Sequence, residues 1–258
     1  MAKKWMKHPH PDKAYAYDAA GLKKNWARLH RGDCEPFPKD SAVAEAWRLF
    51  HAGEFGAAVE AGLAARGAGI NAAIKAQTVY ANYLEKSESS KIDLLEQAAS
   101  LAADRWLDAP NDANAHYLYA FALGRYSQGI SVAKALAQGY GGKIKEALLT
   151  AIKLEPKHAD AHTGYGTYQA EVIDKVGDIV AGMTYGAKKG SAVENFQKAI
   201  KLFPESAIAH IEYGNGLIML FGKGKIDEAT ALYEKAAAMK PMDAMERLDV
   251  DLAKSELE

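Results

Sequence analysis

The chain has 258 residues, of which 49% are apolar and 25% are charged, the balance of an ordinary globular protein. This composition excludes a wholly disordered chain, a collagen-like fibre and a disulfide-rich miniprotein, since Cys34 is the single cysteine. With 32 Lys and Arg against 33 Asp and Glu, the net charge is −1, so no overall positive field favours nucleic acid as a partner.

The N-terminal sequence predicts neither a secretory signal nor a membrane anchor. It is basic, but no apolar run and no small-residue cleavage site follow it. The longest apolar stretches of the chain are far shorter than the roughly 18–20 residues of a membrane span. We therefore expect a cytoplasmic protein with neither a nucleic-acid nor a membrane partner.

Residues 1–40 are predicted to form a basic extension and a capping helix that begins after Asp12. Apolar residues recur here with alternating spacings of four and three, which places them on one face of a helix. They are Tyr15, Ala19, Leu22, Trp26 and Leu29. Residues 1–31 carry eight Lys or Arg and two Asp, so the other face is strongly positive.

Four prolines, at positions 110, 156, 204 and 241, set the register of an internal repeat. The last three follow apolar triplets with the same spacing, which are Ile144-Leu148-Ala151, Ala192-Phe196-Ala199 and Ala229-Tyr233-Ala236. This spacing predicts a helix with one apolar face. The proline then ends the helix, because it cannot continue the hydrogen-bond ladder.

A second helix pattern starts five residues after a proline. It has the form Ala-His-x-x-Tyr followed by Ala or Gly, and its histidines are His116, His162 and His210. The small residue beside the tyrosine allows two helices to approach closely. Two positions after the prolines stand Asp112, His158, Ser206 and Asp243, three of which are residue types preferred at helix N-caps.

These residues resemble the tetratricopeptide (TPR) repeat, in which a helix A and a helix B form each unit. Looser copies are found at Ala46-Trp47 with Gly53-Glu54-Phe55, and at Tyr80-Ala81 with Ala98 and Ala102. The resemblance implies an all-α solenoid of about five helix pairs, at residues 41–70, 71–110, 111–156, 157–204 and 205–241. Residues 242–258, with six acidic and two basic residues between 243 and 258, are predicted to form an acidic capping helix.

Two long segments interrupt the third and fourth repeats between helices A and B. The family period is about 34 residues, whereas the three intervals between these prolines are 46, 48 and 37 residues. The inserts are residues 126–142 and 172–190. Similar long A–B segments occur in TPR-like proteins of the regulator-of-microtubule-dynamics type, a weaker resemblance from which we infer no function. The inserts either form an apolar shelf or cover a ridge of the solenoid.

The concave face of the A helices is the usual binding surface of the TPR family, and the resemblance places a partner-binding site there. Matching the His-x-x-Tyr register selects ten residues: Asn82, Asn114, Tyr117, Phe121, Arg125, Thr163, Thr167, Glu171, Ile211 and Asn215. Aromatic residues and arginine are the types that contribute most binding energy in a pocket. The alternative role for them is packing between repeats.

No motif in the sequence predicts catalysis, a cofactor or a metal site. The glycine-rich run before Lys143 lacks the first glycine and the Ser or Thr of a phosphate-binding loop. The three repeated histidines lie on successive helices, about 8–10 Å apart, too far to share one zinc ion.

Lysines beside glycines form a possible anion-binding row before the B helices or, alternatively, solvated loops: Lys143, Lys145, Lys188, Lys189, Lys223 and Lys225.

The leading hypothesis for function is a non-enzymatic adaptor that binds a protein or peptide of unknown identity on the concave face or the insert shelf. The first alternative is a carrier that encloses a small apolar molecule. The second is a homo-oligomer, in which the basic end of one copy meets the acidic end of the next. An open groove favours the adaptor, and a closed cavity beneath the inserts favours the carrier.

Overall fold

The computed structural model describes residues 5–258, so the first four residues of the predicted extension lie outside it. Within this part of the chain the secondary structure is helical, with no strand. The helices are α1 (Ala19–Leu29), α2 (Ser41–His51), α3 (Phe55–Ala65), α4 (Gly69–Tyr83), α5 (Glu88–Asp108), α6 (Ala113–Gln128), α7 (Val132–Ala137), α8 (Tyr140–Leu154), α9 (Ala159–Val176), α10 (Asp178–Val180), α11 (Lys189–Leu202), α12 (Ala207–Phe221), α13 (Ile226–Ala237) and α14 (Ala244–Ser255).

Five helix pairs stack in chain order, as the repeat pattern predicts. The pairs are α2 with α3, α4 with α5, α6 with α8, α9 with α11, and α12 with α13. The first helix of each pair also packs on the first helix of the next, except that the contact of α6 with α9 is small. The predicted all-α solenoid is therefore confirmed.

The N-caps after the prolines hold the repeats in register. Asp112 accepts hydrogen bonds from the backbone of Asn114 and Ala115, and Asp243 accepts one from Glu246. Ser206 caps α12, and the ring of His158 caps α9 through its Nδ1 atom. His158 is the least typical N-cap residue of the four, but it also acts as an N-cap, because its Nδ1 lone pair faces a free helix amide.

Two glycines of the repeat motif allow close helix packing. A Cβ atom on Gly166 would lie 2.9 Å from the ring of Phe196, and one on Gly214 would lie 2.5 Å from the ring of Tyr233. Both aromatic rings come from the B helix of the same pair and are buried. The glycine beside each tyrosine is therefore required by the distance between the two helices.

The capping helix at the N-terminus begins later than the sequence pattern predicts. Asp12 caps a 3₁₀ turn at Lys13–Tyr15, and α1 begins at Ala19, where the carboxylate of Asp18 accepts the backbone N–H of Gly21. Two caps within seven residues divide the predicted helix, because each one satisfies the free amides of a new helix start.

The two ends of the solenoid meet within one chain. Arg28 of α1 forms an ion pair with Glu246 of α14 at 2.6 Å, and the hydroxyl of Tyr17 donates to the carbonyl of Met242. The Nε2 atom of His8 lies 2.9 Å from the carbonyl of Ala244. Residues from the basic and acidic ends therefore form what we call the terminal interface.

A buried polar chain runs through the terminal interface. It connects Asp243 to His51 at 2.7 Å, His51 to His30 at 3.1 Å, His30 to Asp33 at 2.9 Å and Asp33 to Lys75 at 2.6 Å. Both carboxylates of this chain therefore have partners inside the protein: Asp243 contacts His51, and Asp33 contacts His30 and Lys75.

Among residues 5–258, none of the helices combines the length and the apolar composition that crossing a membrane requires. The same residues include no cluster of three or more His, Cys, Asp or Glu side chains placed to share a metal ion.

Candidate functional site on the concave face

A cavity of about 130 Å³ opens on the concave face, and we call it the concave cavity. It lies between the A helices α4, α6, α9 and α12, and the terminal helix α14 forms one side of it. The A helices reach it because their opposite faces pack on the B helices. The inward residues recur three or four positions apart, as expected for one face of a helix.

Seven of the ten residues predicted for the concave face line this cavity. They are Asn82 from α4, Tyr117, Phe121 and Arg125 from α6, and Thr163, Thr167 and Glu171 from α9. The rings of Tyr117 and Phe121 stack with an interplanar angle of 5° at a centroid distance of 5.9 Å. The structure therefore brings these side chains together around one space.

The other three predicted residues lie outside the cavity. The Asn114 amide is buried, where it donates to the Asp33 carbonyl and the Glu35 carboxylate and accepts from His158. Ile211 is buried among residues of α12, α13 and α14, because α14 covers that face of α12. Asn215 accepts a hydrogen bond from the hydroxyl of Tyr233 at 2.6 Å.

The sequence interpretation misses several cavity residues, among them Tyr83, Tyr168, Glu212, Met245 and Asp249. Met245 and Asp249 belong to α14, which the pattern identified as a polar cap and not as part of the groove. Glu212 follows Ile208 by one helical turn, a spacing that was visible in the sequence. No sequence signal showed that α14 folds back over the concave face.

The chain's own N-terminal segment already occupies one end of the groove. The carbonyl of Asp33 accepts the Asn114 amide of α6 at 2.9 Å, and its carboxylate accepts Lys75 of α4. The carbonyl of Gly32 accepts the backbone N–H of Asp160, at the start of α9. Residues 31–35 therefore run across three successive A helices, held by contacts to their backbone as well as to side chains.

A polar bridge spans the middle of the cavity. Arg125 of α6 donates to Glu212 of α12 at 2.7 Å, and the hydroxyl of Thr167 donates to the other carboxylate oxygen of Glu212 at 3.0 Å. Charge-assisted hydrogen bonds of this kind are stronger than neutral ones. They couple the third, fourth and fifth repeats, and they pair the positive charge of Arg125 inside the groove.

Two carboxyl groups that face the cavity have raised pKa values. Burial raises the pKa of Asp160 to about 6, although Lys75 opposes the shift. Burial also raises the pKa of Asp249 to about 8, although the hydrogen bond from the Tyr83 hydroxyl, 2.5 Å long, favours the ionised form. Both groups hold their protons more tightly than exposed carboxyls do.

The two inserts lie side by side at the edge of the concave cavity and enclose a second one of about 160 Å³, the insert cavity. Its lining is largely apolar and includes Ile130, Leu136, Tyr140, Val172, Val176 and Tyr185. Lys145 of α8 donates to the carbonyl of Tyr185 at 2.7 Å. This hydrogen bond connects the second insert to the third repeat. The two cavities share Ser127, Gln128, Ile144, Tyr168 and Glu171 as lining residues.

The lysines of the predicted anion row have several different environments. Lys145 is bonded to Tyr185, Lys189 pairs with Asp178 at 2.7 Å, and Lys225 pairs with Glu228. Lys143 lies 5.4 Å from the centre of the Tyr140 ring, Lys188 precedes α11 as its N-cap, and Lys223 lies in a 3₁₀ turn. Three of the six therefore already have partners that an anion would have to displace.

Two of the three repeated histidines make equivalent contacts in successive repeats, and the third contacts the N-cap residue of its own helix. His116 and His162 each contact the carbonyl of the proline that precedes their helix, at 2.9 and 3.2 Å, and His210 contacts the carbonyl of Ser206 at 2.9 Å. All three are buried. They fasten each A helix to the loop before it.

Comparison with known proteins finds a matching family model and similar solved structures. A family model described as Regulator of microtubule dynamics protein 1-3 matches residues 70–257, which is more than two thirds of the chain. The crystal structure of TTC0263, a thermophilic TPR protein of Thermus thermophilus, has a TM-score of 0.59 at 16% identity and covers 83% of this chain and 98% of its own. This likeness shows the fold alone. A comparison with curated protein sequences finds no match.

Proposed function

Since the chain belongs to the regulator of microtubule dynamics protein 1-3 family, we propose that it is an adaptor that binds a segment of a partner protein in the concave cavity. A TPR-like helical repeat is a scaffold that can mediate protein interactions and is typically non-enzymatic. A cytoplasmic location is also part of this proposal.

One observation carries the proposal. The concave face already holds residues 31–35 of its own chain, through the Asn114 amide on a backbone carbonyl and the Asp160 backbone N–H on another. These residues form a turn after α1, and their contacts show that this surface has hydrogen-bond groups able to hold the backbone of a protein segment. The adjoining concave cavity offers the next section of the same groove, with Tyr117 and Phe121 as partly buried aromatic contacts.

Site-specific photo-crosslinking in the cells of origin tests this function. A benzophenone side chain would replace Phe121 inside the cavity and, as the control, Leu107 on α5, which is 76% exposed. We expect one protein to be crosslinked at position 121 and not at position 107. The name of the family makes a microtubule-associated protein the first candidate to look for. A protein crosslinked equally at both positions, or at neither, would contradict the adaptor function.

The insert cavity supports a second candidate, a carrier of a small apolar molecule. Its lining is largely apolar, and it shares lining residues with the concave cavity, so a molecule larger than either cavity could span both. Native mass spectrometry of the protein purified from its own cells distinguishes this candidate from the adaptor. A bound small molecule that is released by Leu136→Asp supports the carrier, and an unliganded mass supports the adaptor.

Head-to-tail assembly has less support. The pair between Arg28 and Glu246 uses charges of both ends within one chain, so these charges are not free to attract a second copy. A mass in solution that rises with concentration and falls at high salt would restore this candidate.

A further inference from the structure

The carboxyl groups that line the concave cavity outnumber its basic groups. Arg125 is paired with Glu212, Lys75 with Asp33, and Glu171 has Lys175 at 3.5 Å. Asp160 and Asp249 line the same cavity, and within residues 5–258 no cationic side chain forms an ion pair with either of them. The cavity therefore has two carboxyl groups without a paired positive charge and no basic group left for an anion.

The positions of these two carboxyls distinguish them from a solvated acidic cluster. Asp249 is 4% exposed, and its one hydrogen bond among the described residues comes from Tyr83. The Asp160 side chain has no hydrogen bond there, because its contact with Gly32 uses the backbone N–H. They come from α9 and α14, two helices far apart in sequence that both contribute to the wall of this cavity.

An independent observation at the same cavity also points to a missing ligand. Tyr168 is 6% exposed and lines the cavity, yet its hydroxyl has no hydrogen-bond partner among the described residues. A buried polar atom without a partner is destabilising, because it has given up its hydrogen bonds to water without a replacement. Such a group in a native structure calls for a partner that the described residues do not supply.

The remaining walls favour a cation over a neutral polar group. Tyr83, Tyr117, Phe121 and Tyr168 place four aromatic rings around the space, and aromatic faces attract ammonium and guanidinium groups within about 6 Å. The volume of about 130 Å³ is below the roughly 300–1,000 Å³ of sites that enclose a whole small molecule. It therefore fits a single side chain of a longer ligand.

We propose that the concave cavity binds a cationic side chain, a lysine or an arginine, of the partner segment, with Asp160 and Asp249 as its carboxylate contacts. This inference rests on the proposed adaptor function and specifies the chemistry of its partner. The aromatic rings contact the aliphatic stem and the charge, and the segment on either side of the cation lies along the groove.

Binding of short blocked peptides to the full chain tests the proposal. The probes are acetyl-Ala-Ala-Xaa-Ala-Ala-amide with lysine, arginine, acetyl-lysine, norleucine or glutamate at Xaa, and the readout is the dissociation constant from an NMR titration. Norleucine keeps the stem of lysine and removes the charge. We expect the lysine and arginine peptides to bind about tenfold more tightly than the norleucine peptide, as a buried charge-assisted pair requires.

Asp160→Asn is the diagnostic variant, since asparagine keeps the shape of the side chain and removes its charge. We expect this variant to lose most of the preference for lysine over norleucine while its binding of norleucine stays within about twofold. Glu60→Gln is the matched control, because Glu60 is exposed on α3, away from the cavity, and its substitution changes the net charge equally. This control should keep the full preference.

Several outcomes would overturn the proposal. Three results would each show that the cavity does not select a cation, although it could still bind a peptide. They are equal binding of the lysine and norleucine peptides, preference for the glutamate peptide, and an unchanged preference in Asp160→Asn. Absence of binding by all five peptides would overturn this inference too. The crosslinking at position 121 decides the adaptor function separately, so the two failures are distinguishable.

Discussion

The Nζ atom of Lys75 lies 2.6 Å from the Oδ2 atom of Asp33, and both side chains are at least 95% buried. Asp33 belongs to the segment after α1, and Lys75 lies in the middle of α4. The same carboxylate also contacts His30, which continues toward Asp243 at the start of α14. This ion pair therefore fastens the N-terminal segment to the concave face at the point where the two ends of the solenoid meet.

Removal of Lys75 is expected to destabilise the fold strongly. Lys75→Met keeps the volume of the side chain and leaves Asp33 buried without its cation, so we expect the free energy of unfolding to fall by about 3–5 kcal/mol. The double variant Asp33→Asn with Lys75→Met should recover most of this loss, because neither charge then remains buried. Chemical denaturation followed by circular dichroism measures both values.

The exposed pair between Arg48 and Glu45, 2.7 Å apart on α2, is the control for this experiment. Arg48→Met should lower the free energy of unfolding by less than about 1 kcal/mol. An equal effect of Arg48→Met and Lys75→Met would show that the buried network does not hold the terminal interface together.

Gly214 of the repeat motif and Gly190 of α11 give a matched pair of substitutions. Gly214→Ala places a Cβ atom 2.5 Å from the ring of Tyr233, which is held by its hydrogen bond to Asn215. We expect a loss of about 1–3 kcal/mol from overpacking. Gly190→Ala, in the first turn of α11, has no neighbour within 4 Å and should stabilise the protein by up to about 1 kcal/mol.

Thermal unfolding of the two glycine variants compares them directly. Opposite shifts of the melting temperature are expected, downward for Gly214→Ala and upward for Gly190→Ala. An upward shift for both would mean that helix propensity, and not the distance between α12 and α13, determines the effect of the substitution at position 214.

Stability is expected to decrease as the pH rises from 6.5 to 8. Burial raises the pKa of Glu35 to about 8, as it does for Asp249, so the folded chain binds more protons than the unfolded chain in this window. The free energy of unfolding therefore falls with pH, by at most about 1.4 kcal/mol per pH unit for each group. Urea titrations at several pH values measure the slope.

The variant Glu35→Gln separates this effect from the rest of the molecule. Its amide oxygen can still accept from Asn114, which donates to Glu35 at 2.7 Å, while its side chain no longer titrates. We expect a shallower slope between pH 6.5 and 8 and a gain in stability at pH 8. Below pH 6.5 two histidines contribute with the opposite sign. Burial lowers the pKa of His30 and His158 to about 4, so their contribution makes stability rise with pH there. An unchanged slope above pH 6.5 would contradict the role of Glu35.

The contact between the two inserts is expected to order the first of them. The ring of Tyr185 packs against Gly141 at the start of α8, and Tyr185 also lines the insert cavity. Tyr185→Ala should speed hydrogen exchange in residues 132–142 while the exchange of α12 and α13 stays unchanged, since local opening is independent of distant repeats. Hydrogen exchange with mass spectrometry measures both regions.

Met183→Ala is the control for the insert experiment, since Met183 is 86% exposed in the same segment. This substitution should leave exchange in residues 132–142 as it is in the parent protein. Faster exchange there in Met183→Ala would mean that any change in the second insert loosens the first, and that Tyr185 has no particular part in it.

The sequence by itself determined the repeat. Apolar spacing, the prolines, the N-cap residues and the glycine beside each tyrosine are local signals, and each acts within one helix or one helix pair. These signals were sufficient for the five pairs, for both family resemblances, and for the cavity residues Tyr117, Phe121 and Arg125. They failed at α1, because Asp18 provides a second cap that the apolar stripe does not show.

Only the tertiary structure decided which part of the concave face stays open. The segment at residues 31–35 lies outside the repeat pattern and helix α14 follows the last repeat, yet they cover Asn114 and Ile211, and α14 brings Asp249 to the cavity that Asp160 also lines. These contacts join residues that are far apart in sequence, and they exist because the stacked helix pairs curve until the two ends of the chain touch. Periodicity describes which side of a helix is apolar, but it contains no information about how far the stack turns or which distant segment then lies upon it.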